Sequence, residues 1–131
     1  MVGVYVAIIT DEGVFKHWAI FIDEPHEPGK IMLQVRGSDG RFRYEPEYGD
    51  ARCLSGRDEL VFLSDMESTR TSILKAIARE LPVRSDIHGW NCQDWVLDFL
   101  DKLEEEDIIK GGESGYRERK SYVQGKVEGL V

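Results

Sequence analysis

Cysteine, histidine and proline are scarce in this chain of 131 residues, which holds two, three and four of them respectively. Two cysteines cannot frame a disulfide-rich secreted domain, and neither Cys53 nor Cys92 has the paired spacing or histidine partners of a zinc site, so no metal is expected. No apolar run approaches the ~20 residues of a spanning helix, which speaks against membrane insertion. Positive charge is also short. Lys and Arg number 17 against 25 Asp and Glu, and the formal charge of −8 argues against nucleic acid or an anionic membrane surface as a partner. A Gly-rich phosphate loop is missing too, so no cofactor is expected. The apolar start, residues 2–10, lacks a basic leader and a small-residue cleavage site, and a cytoplasmic protein is the expectation.

What is present suits one globular domain over residues 1–131, with 41% hydrophobic residues for a core and 32% charged residues for its surface. Residues 2–10 are rich in β-branched residues and stop at the turn composition Asp11-Glu12-Gly13. From His17 to Asp23 both faces are largely apolar, with His17, Ala19 and Phe21 on one and Trp18, Ile20 and Ile22 on the other, as in an interior strand. After a proline-flanked loop, residues 30–36 form a third strand, paired as a hairpin with the second. Residues 41–45 give a short fourth strand and residues 59–64 a fifth, separated by a polar irregular stretch containing Cys53. The period then becomes helical. Ile73, Leu74, Ile77 and Leu81 mark a helix stopped by Pro82, and Trp95, Val96, Phe99, Leu100 and Leu103 mark another that begins at Cys92. Residues 113–131 show no regular pattern and read as a further strand or an arm on the sheet. Strands followed by helices predict an α+β fold, a small antiparallel sheet of about five strands against two or three helices.

Chemistry concentrates at the second helix start. Asn91 is a strong N-cap residue and Asp94 completes a capping-box pattern, which puts Cys92 in the first turn. There the helix dipole and unpaired N–H groups favour an anion, and a thiol so placed can be ionised well below its usual pKa of ~8.5. Cys92 also lies on the apolar face of the helix, so a core cysteine is the competing reading. His17 opens an otherwise apolar strand and could serve as a base; a packing histidine is its alternative. Gln34 interrupts the apolar third strand. It is either an edge residue or the third polar group that orients the imidazole, since a buried amide needs a partner.

The segments His17-Trp18-Ala19-Ile20-Phe21-Ile22 and Asn91-Cys92-Gln93-Asp94-Trp95-Val96 together resemble the permuted papain-like superfamily. That superfamily includes lecithin retinol acyltransferase-like proteins, NlpC-type peptidases and PPPDE-type deubiquitinating or deSUMOylating peptidases. The resemblance covers roughly residues 1–105 and implies a permuted papain-like fold. It implies Cys92 as nucleophile, His17 as general base and Gln34 as the residue orienting the ring, with backbone N–H groups at the helix start forming part of an oxyanion hole. Acyltransferase-like members usually carry a second histidine where this chain has Gln34. They also often end in a hydrophobic anchor not seen here, which favours peptide or small amide and ester substrates over lipids.

Trp18, His88, Trp90, Asn91 and Gln93 are expected to line the substrate cleft. His26 reads as an exposed loop histidine and Cys53 as a loop thiol, although a Cys53–Cys92 disulfide stays open. The acidic run from Asp98 to Asp107 reads as a solvated helix face. Two functions follow: a small thiol hydrolase or acyltransferase working through an acyl-enzyme, or a non-catalytic binding or scaffold domain of the same fold.

Overall fold

The computed structural model describes residues 1–10 and 15–128; the turn expected at Asp11-Glu12-Gly13 and the last three residues of the tail lie outside them. The fold is α+β. Strand β1 (Val2–Ile9) pairs antiparallel with β2 (His17–Asp23), in a register that sets Ile9 opposite His17. On its other side β1 pairs with β7 (Arg57–Met66), and β2 pairs with β3 (Ile31–Leu33), which in turn pairs with β6 (Glu47–Tyr48). The sheet order is therefore β6-β3-β2-β1-β7, with β1 and β2 interior as their two apolar faces require.

Helices α1 (Thr71–Glu80), α2 (Cys92–Glu105) and α3 (Ser114–Gln124) supply the partners for one sheet face. Val4, Val6 and Ile8 from β1, with Trp18, Ile20 and Ile22 from β2, share a core with Leu74, Trp95, Phe99, Leu103, Tyr116 and Val123. The opposite face buries Ala7, Ile9, Ala19, Phe21 and Met32 under Ala51, which belongs to a short 3-10 turn, Ala51–Cys53. Strand alternation thus distributes the apolar residues to two layers.

Several expectations are corrected. Residues 30–36 do not form one strand: the run breaks at Gln34, and β4 (Val35–Arg36) leaves the main sheet to pair with β5 (Arg43–Tyr44) as a separate ribbon. The Gln34 carbonyl accepts the Glu45 N–H at 2.8 Å, which switches the ladder from β2 to the ribbon strand. The irregular stretch before Cys53 contributes the edge strand β6. In α1 the buried residues are Thr71, Leu74 and Ala78, and Ile73 faces solvent because the i, i+4 pair sets the inward side.

The tail holds a helix, Ser114–Gln124, that packs back on the sheet at β7, so of the two expectations it is the further strand that does not form. Its pattern is sparse because two side chains seven apart, Tyr116 and Val123, are its only buried ones. Between them Arg119 donates from Nε and Nη2 to the Leu63 carbonyl at 3.1 and 2.9 Å and lies over the Phe62 ring. Helix α3 thereby covers the open edge of β7, a place where an unpaired strand would invite association.

Trp95 has no exposed surface and is stacked between Tyr44 and Phe99, with ring centroids 5.7 and 5.6 Å away. Trp95→Ala should cost about 3–5 kcal/mol in urea unfolding, because the cavity left in a helix–sheet core collapses only in part. Burial pushes the Tyr44 hydroxyl up from its ordinary 10.0 to about 12. The unfolded chain releases this proton first, so stability holds below pH 10 and declines as pH rises through the interval up to about 12. Alkaline unfolding followed by tryptophan fluorescence should show that decline, and Tyr44→Phe should reduce it.

Candidate active site

Asn91 has extended backbone geometry and its side chain accepts the Gln93 N–H at 2.9 Å, while Asp94 Oδ2 accepts the Asn91 N–H at 2.9 Å. This reciprocal cap starts α2 at Cys92, in the first turn as the sequence predicts. Cys92 is 7% exposed. It lies where the apolar stripe of α2 meets a cavity of about 520 Å³ whose wall also includes His17, Trp90, Asn91 and His88. Five residues singled out from the sequence thus share one cavity. Cys53 is exposed, Cys92 is buried and neither is in a disulfide, so the bridge left open above does not form.

His17 is 6% exposed and Gln34 is fully buried. Their side chains meet, with His17 Nε2 2.7 Å from Gln34 Oε1. The far end of the same amide settles the protonation pattern. Gln34 Nε2 donates to the Glu45 carbonyl at 3.1 Å, which can only accept, so Oε1 must face the histidine. His17 Nε2 therefore carries the hydrogen, and in the neutral ring the basic lone pair is on Nδ1. Gln34 is not an edge residue. It occupies the break between β3 and β4, and its place in the fold is set by the two bonds.

Two expected cleft residues lie elsewhere. Trp18 points into the helix-facing core with no exposed surface, because strand alternation sends it to the side opposite Ala19. Gln93 is likewise fully buried; its Nε2 donates to the Lys16 carbonyl at 2.9 Å and its Oε1 accepts the Glu128 N–H at 2.7 Å. The oxyanion hole expected from the helix start is also reduced, since the N–H groups of Gln93 and Asp94 are taken by the Asn91 cap.

Other walls went unread in the sequence. Phe15, Val35 and Phe42 line the cavity with Trp90, and Phe42 meets Trp90 edge to face at 5.9 Å. Gly37 lies on the wall at φ 138°, and an added Cβ would sit 2.5 Å from the Arg41 carbonyl oxygen, so the turn into β5 requires glycine. Asp39 spans the rim, accepting the Gly89 N–H at 3.0 Å and meeting His88 Nδ1 at 2.7 Å. The Gly89 hydrogen bond holds the Asp39 carboxyl below its ordinary range against partial desolvation, and His88 adds to it. His88 itself is 84% exposed, a rim residue rather than an interior one. Trp90 is anchored from behind by Nε1 donation to Asp98 Oδ2 at 3.3 Å, so one member of the acidic run supports the cavity wall. The signal for these residues was only the glycine-rich turn 37–40, because the chain brings residues 35–42 and 88–92 together through tertiary packing.

Among the described residues no group of three His, Cys, Asp or Glu side chains gathers as a metal ion would require, and no helix is long and apolar enough to cross a membrane. Replacing Gln34 tests the buried network directly. Gln34→Leu breaks the buried bond to His17 Nε2 and removes one bond from the Glu45 carbonyl, and it should cost about 1–3 kcal/mol in urea unfolding, against near neutrality if the amide were a spectator.

No curated protein and no solved structure matches the chain. Residues 4–110 match the model of a family of unknown function, DUF6540, a span that takes in the whole cavity wall and stops before α3. On that match, covering well over half of its length, the chain belongs to the DUF6540 family.

Proposed function

We propose that this chain is a small thiol hydrolase or acyltransferase in which Cys92 forms an acyl-enzyme with a peptide, isopeptide, small amide or ester. The observation that carries the reading is the presence of Cys92 and His17 on one cavity wall, with the imidazole held at Nε2 by a buried glutamine. The resemblance of the His17 and Cys92 segments to the permuted papain-like superfamily is in keeping with it.

In this reading His17 Nδ1 takes the proton from Cys92 Sγ, and the first-turn position of the sulfur favours the thiolate. The sulfur adds to the substrate carbonyl carbon. The tetrahedral intermediate expels its amine or alcohol, which leaves with the proton from Nδ1. Water, or another acceptor, then attacks the thioester carbonyl with Nδ1 as base, releasing the acyl product and restoring the thiol. Throughout, the Nε2–H donated to Gln34 holds the ring in one orientation in both its neutral and its protonated form. Phe15, Val35, Phe42 and Trp90 suit an apolar group on the acyl side, and the required free thiol suits a reducing cytoplasm.

A second reading, a non-catalytic binding domain, draws on the contact of Cys92 Sγ with the Lys16 carbonyl oxygen at 3.9 Å, which matches a neutral thiol donating. The two readings part on reactivity. A thiol with pKa near 7.5 is about a quarter ionised at pH 7, against about 3% for an ordinary one near 8.5. Iodoacetamide at pH 7 should modify Cys92 faster than the exposed Cys53, and His17→Ala should remove that advantage. Slower modification of Cys92, indifferent to His17→Ala, would favour the binding domain. Stability gives a second separation at the thiol: Cys92→Ala should be nearly neutral for a nucleophile but cost roughly 1–3 kcal/mol for a packing residue, whereas His17→Ala removes the partner of the buried Gln34 Oε1 in either reading.

A further inference from the structure

Lys16 directly precedes the candidate base, and its polar groups are held from three directions. Its ammonium group meets Asp58 Oδ2 of β7 at 2.5 Å. Its N–H donates to Glu128 Oε1 at 3.3 Å, and its carbonyl accepts from Gln93 Nε2 at 2.9 Å. The same Gln93 amide accepts the Glu128 N–H at 2.7 Å. Glu128 and Gln93 therefore close a ring of hydrogen bonds around the backbone of Lys16. That ring ties the C-terminal segment after α3 to the first turn of α2 and to the entry of β2. Its members adjoin the two reacting groups in sequence, since Gln93 follows Cys92 and Lys16 precedes His17. The Lys16 carbonyl also lies 3.9 Å from Cys92 Sγ.

A fully buried amide that spends both ends on this ring serves backbone placement rather than a cleft. We propose that the C-terminal segment is a clasp for the reactive pair, with Glu128 a positioning residue that acts through Gln93 and Lys16 on the placement of His17 relative to Cys92. The inference rests on the reading of Cys92 as nucleophile and His17 as base. Its chemistry is geometric. Proton transfer from sulfur to Nδ1 needs the ring held within hydrogen-bond reach, and Gln34 governs the ring's orientation while the Lys16 backbone governs where its Cα stands. The carbonyl at Sγ sharpens the requirement, because its oxygen favours the thiol and opposes the thiolate. The Gln93 amide donates to the same oxygen from 2.9 Å and so competes with the sulfur for it.

The test is the pH profile of Cys92 alkylation by iodoacetamide, read by intact mass in the full chain with Cys53→Ser. Glu128→Pro removes both the donated N–H and the carboxylate. It should move the midpoint by about half a unit or more towards the ~8.5 of a free thiol, lowering the rate at pH 7 about threefold. Glu128→Gln, which keeps the N–H and an acceptor oxygen, should restore most of that rate. Glu128→Ala keeps only the N–H and should shift the profile part way with its thermal midpoint held, which separates positioning from loss of fold. Profiles unchanged in both Glu128→Pro and Glu128→Ala would overturn the clasp while leaving Cys92 and His17 in their roles. A profile of the otherwise unaltered chain that titrates like an ordinary thiol and ignores His17→Ala would fell the underlying reading, and the clasp with it.

Discussion

The Gln34 amide has no access to water, so each of its ends must find a protein partner, and the site follows from how it does so. One end takes the Glu45 carbonyl and the other takes His17 Nε2. Because a carbonyl only accepts, the first bond dictates the direction of the second, and the histidine tautomer follows. The backbone obeys the same residue. At Gln34 the strand that paired with β2 turns away to form the β4–β5 ribbon, which carries Val35, Phe42 and the rim to the cavity. A single buried polar side chain thus links the sheet, the cavity wall and the imidazole.

The start of α2 divides its resources between structure and chemistry. The cap of Asn91 and Asp94 takes up the N–H groups of Asn91, Gln93 and Asp94, and in exchange the helix begins at a defined residue. Cys92 is therefore placed reproducibly at the border between the core stripe of α2 and the cavity. A thiol in that position satisfies both the packing of Trp95 and Phe99 beyond it and the opening before it. This double allegiance is why its burial alone does not separate a nucleophile from a core cysteine, and why reactivity does.

Much of the fold was legible because burial enforces periodicity. The two apolar faces of β2, the stripe Trp95, Val96, Phe99, Leu100 and Leu103, and the cap at Asn91 each arise from local spacing, and each is present. Helix α3 was not legible, since it is held by two buried side chains and an arginine reaching the edge of β7, none of which leaves a pattern in a short window. The break at Gln34 was hidden for a related reason. Residues 30–36 alternate like one strand, and only the bonds of Gln34 to residues 17 and 45 show that the ladder changes partner there.

By itself the sequence determined the α+β class, the interior strand His17–Asp23 and the position of Cys92 at a capped helix start. These depend on local rules of spacing, capping and alternation. Tertiary structure alone decided which residues wall the cavity: it admitted Phe15, Val35, Phe42 and Asp39, kept Trp90 and His88, and withdrew Trp18 and Gln93 into the interior. It also decided that the C-terminal segment returns to the entry of β2 through Glu128. Such choices rest on contacts between residues far apart in the chain, where loop packing and the demand that buried polar groups be satisfied outweigh anything a neighbouring residue can specify.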